Sequence, residues 1–264
     1  LNGYKGLLTD KSISIDDDVI DSAEILYEYG GSPIGNSRVK LINADDCIEN
    51  GYIKNGENPL KVAADQLIKD GVTILHTIGG DDTNTTAGDL VNYLDKNDYE
   101  LTVVGLPKTI DNDLPITDNS PGFATVAKYI AVSTYEASLD VASMAKSSTK
   151  VFVMEVMGRH AGWIAAAGAL AARTADDAPH LILFPERPFD RGTFLDRVKM
   201  CVKTNGFCSI VVSEGIKGPE GNFLSDKGSK DAFGHSQLGG VAPFIAETIR
   251  SETGFKYHWA VADY

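Results

Sequence analysis

A chain of 264 residues, 43% hydrophobic and 23% charged, can bury a sizeable core as one large or two smaller domains. Its net charge of −13 argues against a nucleic-acid surface, and no basic stripe with interleaved aromatics is present. No run is apolar and long enough to read as a membrane span, and no charged-then-apolar leader is seen.

Taken in chain order, Asp16-Asp17-Asp18 reads as a solvated helix start. A helix is expected over Pro59–Lys69, a strand over Val72–Ile78 and a helix over Thr83–Leu94. A strand at Leu101–Gly105 and a long helix around Ala124–Ala145 follow. Next come a strand at Lys150–Val156, an Ala-rich helix at Ala161–Ala172 and a strand at Leu181–Phe184. Helix Thr193–Lys203, strand Ser209–Val212 and helix Leu238–Glu252 complete the alternation, and "WAVADY" (Trp259–Tyr264) reads as a last strand. Strands alternating with helices predict a parallel α/β sheet with helices on both faces. Leu1 begins with no strand before it and the chain stops in a strand-like run, so a piece of a longer polypeptide is expected.

Ligands of such sheets bind beyond the carboxyl ends of the strands. Four of those ends are unusual: "GGDDT", "LPKTIDNDLP", "MGRHAGW" and "SEG" (Ser213-Glu214-Gly215). In "GGDDT", the bland reading is a helix start with Asp82 or Thr83 as cap and glycines for positive φ. The functional reading lets the Gly79-Gly80 backbone approach a phosphate while Asp81 holds a Mg²⁺ that the phosphate shares. In "PKTIDND", Asp111 and Asp113 point the same way on an extended segment, so the pKa of at least one should rise. That carboxylate can take a proton from an attacking hydroxyl; an Asx-type turn explains "DND" alone. In "MGRHAGW", Arg159 at the start of the Ala-rich helix opposes the helix dipole, which suggests a bound anion. His160 reads as a packing or capping group.

Cys47, Cys201 and Cys208 show no metal-type spacing and predict a reduced, cytosolic setting. The sequon Asn84-Thr85-Thr86 is read as a chance match.

Together these residues resemble the phosphofructokinases, specifically their pyrophosphate-dependent branch. The segments "NGYKGLL", "GGSPIGNSR", "IGGDDT", "PKTIDND", "VMGRHAGW", "SEG" and "LGGVAPFIAETI" occur in the family's order. The resemblance implies two Rossmann-like three-layer α/β domains with mostly parallel sheets. The first, residues 1–121 without its N-terminal strand, would hold pyrophosphate and Mg²⁺; the second, 122–264, would hold the sugar phosphate. It implies transfer of a phosphoryl group from pyrophosphate to the 1-hydroxyl of fructose 6-phosphate, in a cytoplasmic glycolytic enzyme. Asp111 would be the base and Asp81 the metal ligand, with Thr109 and Asp113 ordering the site. Met157, Gly158, Arg159 and Glu214 would grip the sugar phosphate. Gly80 and Arg38 would meet the phosphate donor. Lys150 would reach the substrate of a neighbouring subunit, so a homodimer or homotetramer is implied.

Donor choice follows from two positions. Asp82 stands where the ATP-using branch has a glycine that lets the α-phosphate approach, and Lys108 likewise replaces a glycine. The first repels ATP and the second attracts pyrophosphate. His258 and Tyr264 stand where shorter members have arginine and histidine, so those roles are not carried over. The rival readings are an ATP-dependent phosphofructokinase, a non-catalytic sugar-phosphate-binding paralogue and a dinucleotide-binding oxidoreductase. The last lacks a G-x-G-x-x-G after a strand.

Overall fold

The computed structural model describes residues 1–28, 31–225, 238 and 240–262. The chain divides into two compact units, Leu1–Pro107 and Lys108 onward. This packing division precedes the Pro121 boundary expected from the motifs, so the "TIDND" loop belongs to the second unit.

The first unit opens with short helices α1 (Gly3–Leu8), α2 (Asp17–Asp21) and α3 (Ala44–Glu49). Asp16 caps α2 by accepting the Val19 N–H, the role its acidic run suggests. Helix α4 (Pro59–Lys69) has both sequence signals of a start: Asn58 caps by accepting from the Leu60 N–H, and Pro59 needs no N–H partner at N1. Strand β1 (Ile74–Gly79), helix α5 (Asp81–Lys96) and strand β2 (Thr102–Pro107) form a βαβ unit. The strands pair in parallel from Ile74↔Thr102 to Gly79↔Pro107. Leu67 of α4 packs with Leu90 and Leu94 of α5, against Leu75 and Val103 of the sheet. On the other sheet face Ile74, Ile78 and Leu106 are exposed.

The second unit is a three-layer sandwich. Its elements are α6 (Phe123–Met144), β3 (Val151–Val156), α7 (Trp163–Ala167), β4 (Leu181–Leu183), α8 (Arg191–Asn205), β5 (Cys208–Ser213), α9 (Val241–Thr253) and β6 (Tyr257–Val261). The sheet runs β4-β5-β3-β6, with every pairing parallel. Central strands β3 and β5 are buried at every position, as a sheet covered on both faces requires. Alternation sorts their side chains. Val151, Val153, Ile210 and Val212 face α8 and α9; Phe152, Met154, Val156 and Val211 face α6 and α7.

Three elements differ from expectation. The Ala-rich run breaks after Ala167 into a 3₁₀ turn, Gly168–Ala171. Gly168 lies so close to β5 that a Cβ there would stand 2.9 Å from Val211 Cγ2. Helix α9 starts at Val241 because Gly240 is left-handed, at φ 93°. The last strand begins earlier, at Tyr257; Asp263 and Tyr264, which end "WAVADY", lie outside the described residues.

Candidate active site

Neither Gly79 nor Gly80 has a positive φ, and at Gly79 close approach is what requires glycine. Gly80 is the α5 N-cap in extended conformation, φ −84° and ψ −155°. A Cβ on Gly79 would stand 2.3 Å from Thr83 Oγ1. Asp81 and Asp82 are not caps: they occupy the first turn of α5, where the positive end of the helix dipole favours anions. Asp81 is exposed. Its hard carboxylate oxygens suit Mg²⁺, which takes one or two carboxylates and otherwise water and phosphate oxygens. Asp82 is held by Lys40, whose Nζ lies 2.8 Å from Oδ1. Arg38, two residues before Lys40, is exposed.

Asn84 braces this turn. Its Nδ2 donates to the carbonyls of Gly79 at 2.9 Å and Gly80 at 2.8 Å. Its Oδ1 lies where a Cβ on Gly105 would come within 2.6 Å, so β2 needs glycine there. This internal work agrees with treating the sequon as a chance match.

In the second unit the "PKTIDND" segment is a closed loop, not the extended segment expected. The Thr109 N–H donates to the Pro121 carbonyl at 3.1 Å, and Thr109 Oγ1 accepts from the Asp111 N–H at 3.1 Å. Asn112 is left-handed, at φ 52°. Its buried amide accepts from the Ser120 N–H at 2.8 Å and donates to the Asp118 carbonyl at 3.2 Å. The loop thus turns around Asn112 and leaves Asp111 and Asp113 on either side. Burial pushes the Asp111 carboxyl above its ordinary value and the nearby Asp113 charge adds to this, while Arg159 and Lys108 oppose. A rise was expected from the paired charges; burial is the larger cause.

Arg159 lies in the loop between β3 and α7, not within the helix. That loop interlocks with "SEG". Gly158 has φ 129°, and its carbonyl accepts from the buried Ser213 hydroxyl. Gly215 packs against the same turn: a Cβ there would stand 2.1 Å from the Arg159 carbonyl oxygen. Between them Glu214 donates its N–H to the Val156 carbonyl at 2.9 Å. Burial raises the Glu214 carboxyl, against the Gly158 N–H it accepts and the Arg159 charge; Glu155 and Asp111 push the same way as burial. Asp111, Arg159 and Glu214 therefore share one electrostatic neighbourhood at the carboxyl ends of β3 and β5. Met157 is half-buried beside them.

Lys150 does not join this group within the chain. It precedes β3 at the opposite end of the sheet and donates to the Ala145 carbonyl. His160 packs against the Phe223 ring at 5.8 Å, in keeping with a packing role.

Three residues escaped the sequence reading. Lys40 and Asn84 left no local signal. Glu155 did: it is a lone charge in "VFVMEV". Only 2% exposed, its carboxylate accepts the Gly240 N–H at 3.1 Å and the Ala242 N–H at 2.8 Å, holding the start of α9.

A family model described as "Phosphofructokinase" matches residues 1–261. The chain is similar to the pyrophosphate–fructose 6-phosphate 1-phosphotransferase of Halomonas elongata, 48% identical over 263 residues, which span all of this chain and 61% of that protein. The Methylococcus capsulatus protein of the same name is 46% identical over 269 residues, spanning all of this chain and 60% of that one. Among solved structures, the pyrophosphate-dependent phosphofructokinase from Marinobacter aquaeolei is 40% identical with a TM-score of 0.81, over all of this chain and 58% of that one. The chain thus spans about three fifths of these relatives' length.

Proposed function

Because this chain belongs to the phosphofructokinase family, we propose that its protein moves a phosphoryl group from pyrophosphate to the 1-hydroxyl of fructose 6-phosphate, reversibly. The supporting observation is Asp111: a half-buried carboxylate with a raised pKa, in the same neighbourhood as Arg159 and Glu214. A carboxylate raised in this way accepts a proton more readily near neutral pH than a solvated one. Asp111 takes the hydroxyl proton. Arg159, Glu214, Met157 and Gly158 hold the sugar phosphate, and Thr109 and Asp113 shape the loop. Asp81 holds Mg²⁺, which when bound neutralises charge on the pyrophosphate oxygens. Gly80 and Arg38 meet the donor.

Pyrophosphate is favoured over ATP because the first turn of α5 carries Asp82, held near the glycine turn by Lys40, and because Lys108 supplies a cation. Relatives named for the pyrophosphate reaction, at 46–48% identity, support the same donor. We place the enzyme in glycolytic metabolism of the cytoplasm, as a homodimer or homotetramer in which Lys150 reaches a neighbour's substrate.

The test offers the full protein fructose 6-phosphate and Mg²⁺, with pyrophosphate and ATP supplied separately, and follows fructose 1,6-bisphosphate. Product from pyrophosphate alone is the expected result. Product from ATP overturns the donor assignment, and silence with both favours a non-catalytic binding module.

A further inference from the structure

Two cysteines that look unrelated in sequence meet at the amino end of the second unit's sheet, away from the strand ends that carry Glu214 and Arg159. Cys201 lies in the last turns of α8 and Cys208 opens β5. His180, just before β4, joins them: one ring nitrogen and the two sulfurs all lie within 4.8 Å of one another. Cys208 is fully buried, Cys201 keeps 9% of its surface, and His180 is half-buried at the rim.

Such a trio suggests a metal site, but the histidine argues otherwise. The Ser209 N–H donates to His180 Nδ1 at 3.0 Å. In a neutral ring Nδ1 is then the acceptor, so the proton must sit on Nε2. A metal ion at Nε2 would need the opposite tautomer, which would set an Nδ1–H against the Ser209 N–H. The same bond makes Nε2 a donor. That nitrogen is buried with no hydrogen-bond partner, a costly state unless an anion forms nearby. The anion its position serves is a thiolate.

We propose that Cys201 and Cys208 form a dithiol oxidation site, in which Cys201 is the peroxide-reactive sulfur, Cys208 the resolving one and His180 the donor that steadies the thiolate. The Cys201 thiol donates to the Phe207 carbonyl at 3.3 Å, a bond that ionisation gives up, but other donors face the same sulfur. Asn205 Nδ2 donates to Cys201 Sγ at 3.6 Å. The Cys208 sulfur lies within 4.8 Å of the Cys201 sulfur, and this neighbouring thiol most of all draws Cys201 down to about 5; burial opposes it, and His180 assists. Cys208 is pushed up, first by its pairing with Cys201 and then by burial. A thiolate paired with a nearby thiol is the arrangement of reactive cysteines. Cys47, in the first unit, is its opposite: fully buried and pushed up by burial.

The oxidant is a hydroperoxide. The Cys201 thiolate sulfur attacks one peroxide oxygen, the O–O bond breaks, and the departing hydroxide gains a proton to leave as water, giving the sulfenic acid. Cys208 sulfur then attacks Cys201 sulfur. The S–O bond breaks, and the leaving hydroxide takes the Cys208 proton as a second water. Two thiols and one hydrogen peroxide thus give one disulfide and two waters.

The tryptic map makes the test direct, because Lys199, Lys203 and Lys217 separate the two sulfurs into peptides 200–203 and 204–217. The native full protein is treated with hydrogen peroxide, quenched with catalase, alkylated and digested without reduction. The expected product is the linked pair 200–203 with 204–217, while Cys47 is recovered as alkylated thiol. Cys208→Ser should halt at a sulfenic acid on Cys201, trapped by dimedone; should that buried change prevent folding, Cys201→Ser serves, and it should leave Cys208 unoxidised. His180→Gln should slow linkage by about tenfold, as expected when the thiolate population falls. Cys201 oxidising no faster than Cys47, or linkage unaffected by His180→Gln, overturns the proposal. A folded protein that binds Zn²⁺ through these cysteines and resists peroxide would replace it with the metal reading.

Discussion

The Glu155 carboxylate, near the carboxyl end of the buried strand β3, accepts the Ala242 N–H at 2.8 Å across 87 positions of sequence. It also accepts from Gly240, so one buried carboxylate anchors the start of α9 to the carboxyl end of a central strand. The positive end of the helix and two aligned donors offset its desolvation.

Glu155→Ala strands those donors in a site that is 2% exposed. An unsatisfied buried donor costs about 1–3 kcal/mol, so a loss of about 3 kcal/mol is expected, with Glu155→Gln losing roughly half. For a unit of this size, thermal denaturation should fall by about 2–4 °C per kcal/mol. An Ala variant that melts with the parent refutes the anchoring role.

Asp111→Asn separates function from stability. Turnover should fall by at least ~100-fold, as for a lost general base, with fructose 6-phosphate binding largely kept. The stability effect has the opposite sign. Burial raises the folded carboxyl above its unfolded value near 4, so the folded state holds the proton more tightly. The fold therefore weakens as pH rises from the unfolded value through the raised one, and the penalty is complete above it. Asparagine escapes that penalty. Melting curves should show the variant more stable than the parent at pH 7, with the gain gone below about pH 4. Equal stability at pH 7 contradicts the burial account.

The elements most legible in the sequence were those decided locally. Pro59 and Asn58 mark α4 without any tertiary information, and the apolar runs of β3 and β5 predict covered central strands. The four strand-end motifs were legible for the same reason, since each lies within a few residues of a strand. What was not legible depends on distant partners. Nothing near Gly168 announces that Val211 packs so close to it. The turn at Asn112 is held by Ser120 and Asp118, so "DND" misread as extended. Lys40 beside Asp82, and His180 beside Cys201, are meetings that no spacing rule encodes.

Gly215→Ala tests the interlock of the Gly158–Arg159 turn with the Ser213–Gly215 turn, the pair proposed to hold the sugar phosphate. The added Cβ would sit 2.1 Å from the Arg159 carbonyl oxygen and 2.6 Å from that of Gly158. Backbone must move, at a cost of about 1–3 kcal/mol. Because the displaced turn carries Arg159, the KM for fructose 6-phosphate should rise several-fold more than that for pyrophosphate. Equal changes in both would mean that the loop does not serve the sugar phosphate.

Donor choice can be tested without threatening the fold. The Lys40–Asp82 pair is 27% and 29% exposed, and partly solvated pairs of this kind contribute about 0–1 kcal/mol. Asp82→Gly also removes an anion from the first turn of α5, a loss of about 0.3–1 kcal/mol. The variant should therefore remain folded. Removing the carboxylate leaves the turn after Gly80 less crowded and less negative, and Lys108→Gly withdraws the cation assigned to pyrophosphate. The double variant should bind ATP measurably and lose pyrophosphate affinity. Calorimetric titration with each donor reads both effects on one sample. If the folded double variant still rejects ATP, neither residue sets the donor, and selectivity must lie elsewhere in the protein.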